Sequence, residues 1–266
     1  LVGETSVDGL FVAAGMNSGG VMSSAGIGRA LADWMVDGRP PMNMWEVDVS
    51  RVDPASATPE HMAARMEEAV ADLFALHWPY KQNKSGRDLR RSALHECWAQ
   101  AGAQFGQTAG WERGLWYGDA QPYSVGKQGW WPVAEAEAKE MAEGTVLIDL
   151  SPFTKIDVTG ADADAALNRM CTAQMDVPNG RAIYTQVLNA QGGVEMDVTI
   201  ARLAEDHFHV TSGAATRARD MAFLRRNLPN TLALTDVTEA FCTLGVMGAG
   251  VGEAMRALVP NVTWAC

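Results

Sequence analysis

The sequence is short of basic charge and of long apolar runs. Its 21 lysines and arginines are outnumbered by 32 aspartates and glutamates, which gives a net charge of −11 over 266 residues. A chain this acidic repels a phosphate backbone, so we expect neither nucleic acid nor an anionic membrane as a partner. No apolar run approaches the roughly 20 residues of a membrane-spanning helix, and the first residues lack the pattern of a secretory signal. We therefore expect a soluble cytoplasmic protein, or a mitochondrial matrix protein in a eukaryote.

Sequence signatures of several kinds of site are also missing. No C-x-x-C pair occurs among the four cysteines, which are Cys97, Cys171, Cys242 and Cys266. This scatter favours buried thiols in a reducing compartment over a disulfide framework or a zinc site. There is no Walker A sequence, no G-x-G-x-x-G and no G-x-S-x-G. His207 and His209 share a face of a predicted strand but have no third ligand nearby, so we expect no metal.

The chain is globular in composition, and one segment predicts a specific structure. Residues 180–202 read GRAIYTQVLNAQGGVEMDVTIAR, in which two runs rich in strand formers flank a loop containing Gly192 and Gly193. This pattern predicts a β-hairpin. Because apolar and polar residues alternate after the loop, Asp197 falls on the polar face of the second strand. From the pattern alone, Asp197 is either a solvated surface residue or a carboxylate presented to a ligand.

A second candidate site lies near the N-terminus. The apolar run from Gly9 to Gly15 predicts a strand covered on both faces, and a glycine-rich turn follows it. A helix comes next and is expected to end at Gly38. Its apolar positions at helical spacing are Ile27, Leu31, Trp34 and Met35. Unpaired N–H groups and the positive end of the helix dipole favour an anion at such a corner. The alternative is a tight turn whose glycines only permit close packing.

The segment between these two sites is predicted to be largely irregular. Residues 40–59 form a candidate linker, and Thr58 with Pro59 starts a helix. We expect its apolar stripe to face a core; the stripe consists of Met62, Met66, Val70, Leu73 and Leu76. Residues 77–91 hold a basic cluster that either binds an anionic ligand or docks against an acidic neighbouring domain. Ser92 is predicted to cap the next helix, and the tryptophan-rich residues 110–117 and 130–132 are predicted to be irregular.

From residue 145 onward, short strands and helices follow one another. Strands are predicted over 145–150, 155–159, 207–211 and 242–247 in addition to the hairpin, and helices over 161–173 and 214–227. Short helices on one side of an antiparallel meander predict an α+β fold.

Five segments together resemble the dimethylglycine dehydrogenase and sarcosine dehydrogenase family. They are GLFVAAGMNSGGVMSSAGIGRALADWMVDGRP, SGRDLRRSALHE, GAQFGQTAGWERGLWYG, IDLSPFTKIDVTGADA and GRAIYTQVLNAQGGVEMDVTIARL. In this family an FAD-dependent amine-oxidising half is fused to a half similar to the aminomethyltransferase (T-protein) of the glycine cleavage system. The resemblance implies the C-terminal end of the flavin domain over 1–42, a connecting region over 43–125 and the N-terminal part of the folate-binding domain over 126–266.

The resemblance also implies two sets of ligand-binding residues. The first set lies beside the flavin, where backbone N–H groups stabilise the negative charge of the reduced ring; it consists of Gly15, Met16, Asn17, Gly19, Gly20 and Val21. The second set contacts tetrahydrofolate and consists of Phe153, Tyr184, Asn189 and Asp197. Asp197 matches the carboxylate that T-proteins hold beside the reacting nitrogen. Phe153 takes a position where T-proteins usually have methionine.

The activity implied by the resemblance has two stages, with FAD and tetrahydrofolate as cofactors. An N-methyl amine is oxidised at the flavin, and tetrahydrofolate captures the one-carbon unit with the help of Asp197 as a proton-balancing group. The dinucleotide fingerprint and much of the amine site are expected before Leu1, so we expect this chain alone to bind no FAD tightly and to oxidise no amine. The alternatives are a folate-dependent aminomethyltransferase or demethylase, and a non-catalytic folate-binding or regulatory module.

Overall fold

The computed structural model describes residues 1–261. The chain divides into two compact units, which interleave in sequence. The first comprises Leu1–Pro54 and Thr154–Val237, and the second comprises Ala55–Phe153 and the residues from Thr238 onward. Among residues 1–261, no helix combines the length and the apolar character needed to cross a membrane. Cys266 lies outside the described residues.

Eighteen α-helices and β-strands, besides five short 3-10 helices, make up the regular structure of the described residues. In chain order they are β1 (Val2–Glu4), β2 (Phe11–Ala13), α1 (Gly20–Asp37), α2 (Pro59–Asp72), α3 (His95–Gln100), β3 (Ala103–Thr108), β4 (Trp111–Tyr117), α4 (Trp131–Glu143), β5 (Val146–Asp149), β6 (Thr154–Thr159), α5 (Ala163–Asn168), β7 (Ala182–Leu188), β8 (Val194–Ala204), β9 (His207–Ser212), α6 (Arg217–Asn227), β10 (Ala233–Asp236), β11 (Leu244–Met247) and α7 (Val251–Leu258).

The first unit is built around a five-stranded antiparallel sheet in the order β10-β6-β9-β8-β7. One face of the sheet is apolar, because alternate residues such as Ile156, Val198 and Phe208 point to the same side and are almost fully buried. Leu167 of α5 and Leu224 of α6 belong to the same buried cluster. The opposite face carries the polar residues of the same strands. This arrangement confirms the predicted α+β class, the hairpin and the strand at 207–211.

The N-terminal part of the first unit forms a small hairpin followed by a helix. Strands β1 and β2 pair antiparallel, and Trp34 of α1 packs edge-on against Phe11. Helix α1 ends as predicted at Gly38, whose φ of 69° is left-handed and whose N–H donates to the carbonyl of Trp34. The strand expected to be covered on both faces is shorter and only half-buried, and Met35 is exposed rather than packed. The reason is that β2 pairs only with β1 in a two-stranded sheet and packs against α1 on one face.

The second unit contains two small antiparallel sheets, β3-β4 and β5-β11. The prediction that residues 110–117 are irregular is wrong, because they form strand β4 of a hairpin. Residues 130–132 were also expected to be irregular, but α4 begins at Trp131 with Pro132 in its first turn. Trp130 stacks on Trp116 with ring centroids 5.8 Å apart. These rings therefore support the hairpin and the helix of a single unit.

Helix α2 begins as predicted, since the hydroxyl of Thr58 accepts a hydrogen bond from the N–H of His61. The expectation that its apolar stripe faces a core is wrong. The stripe is about half-exposed, with exposed fractions of 52% for Met62, 60% for Met66, 57% for Val70, 48% for Leu73 and 64% for Leu76. The opposite face of the helix contacts Ser85 instead. Arg65 donates to the carbonyl of Ser85, and Glu68 accepts a hydrogen bond from the N–H of Ser85. Polar contacts, rather than apolar packing, anchor this helix.

Three further expectations are corrected by the structure. The basic residues of 77–91 pair largely with acidic residues of the same unit, so they form no free basic patch; the ion pairs are Lys81–Asp72, Arg87–Glu112, Arg90–Glu239, Arg91–Asp88 and Arg91–Glu96. Ser92 does not cap α3, because its hydroxyl donates to Asp149. Cys97, Cys171 and Cys242 are free, but Cys97 and Cys242 are exposed rather than buried, and Cys171 is half-buried.

Candidate functional site

The turn between β7 and β8 is held by Asn189. Its side-chain oxygen accepts hydrogen bonds from the N–H groups of Gln191 at 3.0 Å and Gly193 at 2.9 Å, and its amide donates to Glu195 at 2.8 Å. Gly192 has a φ of 80°, and a Cβ on Gly193 would lie 2.9 Å from the Asn189 side chain. The loop therefore requires both glycines. Asn189 shapes the turn, which fixes where the following strand begins.

Asp197 lies on the polar face of β8, directly opposite Gln186 of β7. The phenol of Tyr184 donates to its Oδ2 at 2.8 Å, and the amide of Gln186 donates to its Oδ1 at 3.2 Å. Asp197 is exposed, and Tyr184 is 66% exposed. The neighbouring residues Met196 and Val198 are buried on the other face and anchor the strand in the core. The result is an open carboxylate that the protein holds from two sides.

The electrostatics of this pair keep Tyr184 a hydrogen-bond donor. The hydrogen bond to Asp197 raises the pKa of the Tyr184 phenol, because loss of its proton would place a phenolate beside a carboxylate. Each oxygen of an ionised carboxylate can accept two hydrogen bonds. Both oxygens of Asp197 therefore retain capacity for a donor from a ligand, such as a ring N–H.

The structure brings Tyr184, Gln186 and Asp197 together, and the sequence had pointed to only two of them. Gln186 looked like an ordinary residue between strand formers. The signal that could have found it is the hairpin register, since with the turn at 189–193 the residue opposite Asp197 is fixed as Gln186. Phe153 lies at the turn after β5, where its N–H donates to the carbonyl of Leu150 at 3.0 Å, and it is half-buried.

The N-terminal corner has the predicted order of strand, turn and helix. Gly15 has a φ of 68° and Asn17 a φ of 48°, and the N–H of Gly19 donates to the carbonyl of Met16 at 3.1 Å. A Cβ placed on Gly15 would meet no atom within 4 Å, and Val21 is 94% exposed. An 18-residue helix starts at Gly20, and its dipole is positive at this end. The corner is therefore open and suited to a group that accepts hydrogen bonds.

The two histidines of β9 share one carboxylate. His209 Nδ1 lies 2.6 Å from Asp157 Oδ1, and His207 Nε2 lies 3.2 Å from Asp157 Oδ2. The strand register places all three side chains on the same face of the sheet as Asp197. Within residues 1–261 no group of three or more His, Cys, Asp or Glu side chains is arranged to hold a metal ion.

The second unit contains an ion pair and a groove. Glu112 is almost fully buried and accepts hydrogen bonds from the Arg87 guanidinium and the N–H of Asp88. Burial opposes ionisation, but these donors outweigh it and lower the pKa of Glu112.

A groove of about 770 Å³ lies between β4, α4 and β5. Its wall combines apolar side chains such as Leu147 with the carboxyls of Glu137 and Glu140, and burial raises the pKa of Glu137.

Two family models match the sequence. The model described as the GCVT N-terminal domain matches residues 94–265, and the model described as the FAD dependent oxidoreductase central domain matches residues 37–92. The order of the two matches along the chain is flavin part first and T-protein part second. The two models together account for most of the chain.

Three relatives align with nearly the whole chain. The 4-methylaminobutanoate oxidase (formaldehyde-forming) of Paenarthrobacter nicotinovorans is 40% identical over 98% of this chain and 32% of its own length. The mitochondrial pyruvate dehydrogenase phosphatase regulatory subunit of Mus musculus is 33% identical over 97% and 31%. The mitochondrial sarcosine dehydrogenase of Homo sapiens is 26% identical over 98% and 33%. The chain thus spans about a third of the length of these relatives.

The fold is similar to that of a solved T-protein. The crystal structure of the glycine cleavage system aminomethyltransferase T from Bartonella henselae covers 63% of this chain and 43% of its own, with a TM-score of 0.54 and 22% identity. At this identity the likeness concerns the fold alone. The chain therefore belongs to the dimethylglycine and sarcosine dehydrogenase family, in which an FAD-dependent oxidoreductase is joined to a T-protein-like domain, and it covers the junction between the two.

Proposed function

We propose that this chain is the folate-facing part of a flavoprotein that oxidatively demethylates an N-methylated glycine derivative of the dimethylglycine or sarcosine type and passes the one-carbon unit to tetrahydrofolate. The observation that carries the proposal is the Asp197 carboxylate, held by Tyr184 at 2.8 Å on an open polar face of the sheet. Similarity to relatives named as a 4-methylaminobutanoate oxidase and a sarcosine dehydrogenase supports the amine chemistry. The small-molecule partner of the whole protein is thus an N-methyl amine.

Asp197 acts on the folate side of the reaction. Its carboxylate accepts a hydrogen bond from a reacting N–H of tetrahydrofolate and takes up the proton that this nitrogen loses when it bonds to the one-carbon unit. Tyr184 keeps the carboxylate oriented, and its own raised pKa keeps it protonated while it does so. Asn189 adds a proposed folate contact through the turn that it shapes. The folate contact of Phe153, which belongs to the second unit, stays a prediction from the resemblance. The captured carbon is at the oxidation level of formaldehyde, and water leaves when both folate nitrogens have bonded to it.

The N-terminal corner is proposed to hold one edge of FAD. The open space above Gly15 and the helix start at Gly20 fit a flat ring that accepts hydrogen bonds. The backbone of Met16, Asn17 and Gly19, with Val21 beside it, would hold and orient that ring edge. When bound, FAD supplies the two-electron oxidation of the N-methyl group. We also propose that the whole protein acts in the cytoplasm, or in the mitochondrial matrix of a eukaryote.

Calorimetry with tetrahydrofolate on the full-length protein tests the folate site. Asp197→Asn removes a charged acceptor while keeping the shape, and it is expected to weaken binding by roughly 10- to 150-fold, because a hydrogen bond to a charged group contributes about 1.5–3 kcal/mol. Asp206→Asn is the matched control, since it removes the same charge at the exposed turn before β9. Equal affinity for tetrahydrofolate in the wild type, Asp197→Asn and Asp206→Asn would show that Asp197 does not contact the folate.

A second candidate is a folate-binding regulatory module without flavin chemistry. The 33% identity to a protein named as a phosphatase regulatory subunit favours it. The two candidates differ in one observable, which is reduction of bound flavin by an N-methyl amine under anaerobic conditions. Bleaching of the flavin absorbance by sarcosine, dimethylglycine or 4-methylaminobutanoate supports the oxidoreductase, and it also identifies the amine. An unbleached spectrum with all three, together with retained folate binding, supports the regulatory module.

A further inference from the structure

Asp197 is held by a chain of hydrogen bonds that starts in the sheet and ends at its carboxylate. The N–H of Ala173 donates to Thr185 Oγ1 at 3.1 Å, and Thr185 Oγ1 lies 3.1 Å from Thr172 Oγ1. Thr172 Oγ1 lies 3.3 Å from Gln186 Oε1, and Gln186 Nε2 lies 3.2 Å from Asp197 Oδ1. All five residues belong to the first unit.

The two ends of this hydrogen-bond chain determine which group donates and which accepts at each step. A backbone N–H can only donate, and an ionised carboxylate can only accept. Gln186 must therefore point its NH₂ toward Asp197, which leaves its carbonyl oxygen facing Thr172. Because each hydroxyl has one proton, Thr172 donates to Gln186. Thr185 then donates to Thr172 at 3.1 Å, which is shorter than its other contact, to the carbonyl of Gln186 at 3.4 Å. Aligned hydrogen bonds of this kind polarise one another and strengthen the last donor.

The Thr185 end of the hydrogen-bond chain is buried, whereas the Asp197 end is exposed. Thr185 is 1% exposed, in the buried part of the sheet. The main chains of Thr172 and Gln186 are also joined, since the N–H of Thr172 donates to the carbonyl of Gln186 at 2.9 Å. Gln186 itself is half-buried. Its side chain is thereby restricted to the orientation that reaches Asp197, at little further cost in side-chain entropy.

We propose that Gln186 is a positioning residue for the folate site, acting through Asp197. Tyr184 donates to Oδ2 and Gln186 donates to Oδ1, so the two hydrogen bonds orient the carboxylate and leave its remaining acceptor positions for the ligand. Gln186 does not itself touch folate in this account. The inference rests on the proposed function for its ligand, but the hydrogen-bond chain exists whatever the ligand is.

Two substitutions at Gln186 and one control test this role in the full-length protein. Gln186→Leu removes the donor and keeps a similar volume. In Gln186→Glu, the introduced carboxyl can donate to Asp197 only while it carries a proton. Two carboxylates this close resist double ionisation, so the pair keeps one shared proton at low pH and loses it at high pH. The matched control is Asn179→Asp, which adds the same charge at the exposed turn before β7, away from the 189–193 loop. Affinity for tetrahydrofolate is measured by calorimetry at pH 5.5 and pH 8.5.

We expect Gln186→Leu to bind tetrahydrofolate about 3- to 10-fold more weakly than the wild type at both pH values. Gln186→Glu is expected to approach the wild type at pH 5.5 and to bind at least about 10-fold more weakly at pH 8.5, where both carboxylates are ionised and repel. Asn179→Asp follows the wild type throughout. A purely structural role for Gln186 predicts no such rescue at low pH. If Gln186→Glu and Asn179→Asp show the same pH dependence, the proposal is wrong.

A second measurement separates this proposal from the proposed function. The introduced carboxyl of Gln186→Glu has a higher pKa in the folded protein than in the unfolded chain, so the stability of this variant relative to Asn179→Asp falls as pH rises from 5.5 to 8.5. Thermal unfolding measures this without folate. A parallel pH dependence of the two melting temperatures overturns the Gln186–Asp197 contact. Absence of folate binding by the wild type, with the predicted difference in melting temperature intact, overturns the proposed function alone.

Discussion

The ion pair of Arg87 and Glu112 gives a sharp test of the second unit. The Glu112 side chain is 1% exposed and the Arg87 side chain 25% exposed. Arg87 donates to Glu112 and to the carbonyl of Phe105 at 3.0 Å, and the N–H of Asp88 donates to Glu112 at 2.8 Å. One carboxylate thus joins the loop at 83–88 to the β3-β4 hairpin. Glu112→Gln keeps the shape of this side chain but removes its charge and turns one acceptor into a donor that faces Arg87.

The expected loss of stability is about 3 kcal/mol, the low end of the range for removing one partner of a buried ion pair, because Arg87 retains some access to water. With a urea m-value of about 2 kcal/mol/M, this lowers the unfolding midpoint by about 1.5 M. The matched control is Glu96→Gln, which breaks a pair with Arg91 in which Glu96 is 73% exposed. We expect the control to change stability by less than about 1 kcal/mol.

The pH dependence supplies an independent check. The hydrogen bonds from Arg87 and Asp88 overcome burial and lower the pKa of Glu112 below its ordinary value of 4.5. A group with a lowered folded pKa contributes stability above its unfolded pKa and loses it as pH falls. The difference between the wild type and Glu112→Gln in urea unfolding should therefore be full at pH 7 and shrink below pH 4.5. Indistinguishable midpoints for Glu112→Gln and Glu96→Gln at pH 7 would refute the reasoning.

Three other predictions follow from burial and charge. Burial raises the pKa of Cys171 to about 11, so iodoacetamide should alkylate the exposed Cys97 and Cys242 well before Cys171, as peptide mass spectrometry would show. Phe208→Ala, at a fully buried position, should destabilise the first unit by roughly 3–5 kcal/mol in urea unfolding. Hydrogen bonds from Ser85 and Lys84 lower the pKa of Glu68 to about 2, so the stability that it contributes above pH 4.5 should be lost as pH falls toward 2, and Glu68→Gln should remove that dependence in acid-unfolding curves.

Local chemistry made the hairpin site predictable from sequence. Two glycines in a short loop and strict alternation afterwards determine both the turn and the face of Asp197, since a one-residue slip would turn every side chain over. The start of α2 at Thr58 and the end of α1 at Gly38 were equally predictable, because caps depend on one or two residues. The role of Gln186 was not predicted, because it depends on side-chain hydrogen bonds across two strands.

The errors in the second unit have different physical causes. Strand β4 and helix α4 differ from the prediction because tryptophan and glycine do not by themselves indicate irregular structure. Pro132 and the alanine- and glutamate-rich run after it are good helix signals. The stripe of α2 was expected in a core because its spacing is helical, but spacing defines a face and does not say what covers it. The basic cluster looked unpaired because its partners, such as Glu112 and Glu239, are distant in sequence.

The fate of the one-carbon unit tests the central claim most directly. The full-length protein is given a ¹³C-methyl amine substrate with tetrahydrofolate, and methylenetetrahydrofolate and free formaldehyde are quantified by NMR for the wild type and for Asp197→Asn. We predict that the wild type delivers most of the label to methylenetetrahydrofolate, whereas Asp197→Asn oxidises the amine at an unchanged rate and releases the label as free formaldehyde. The same partition between the two products in both proteins would contradict the account.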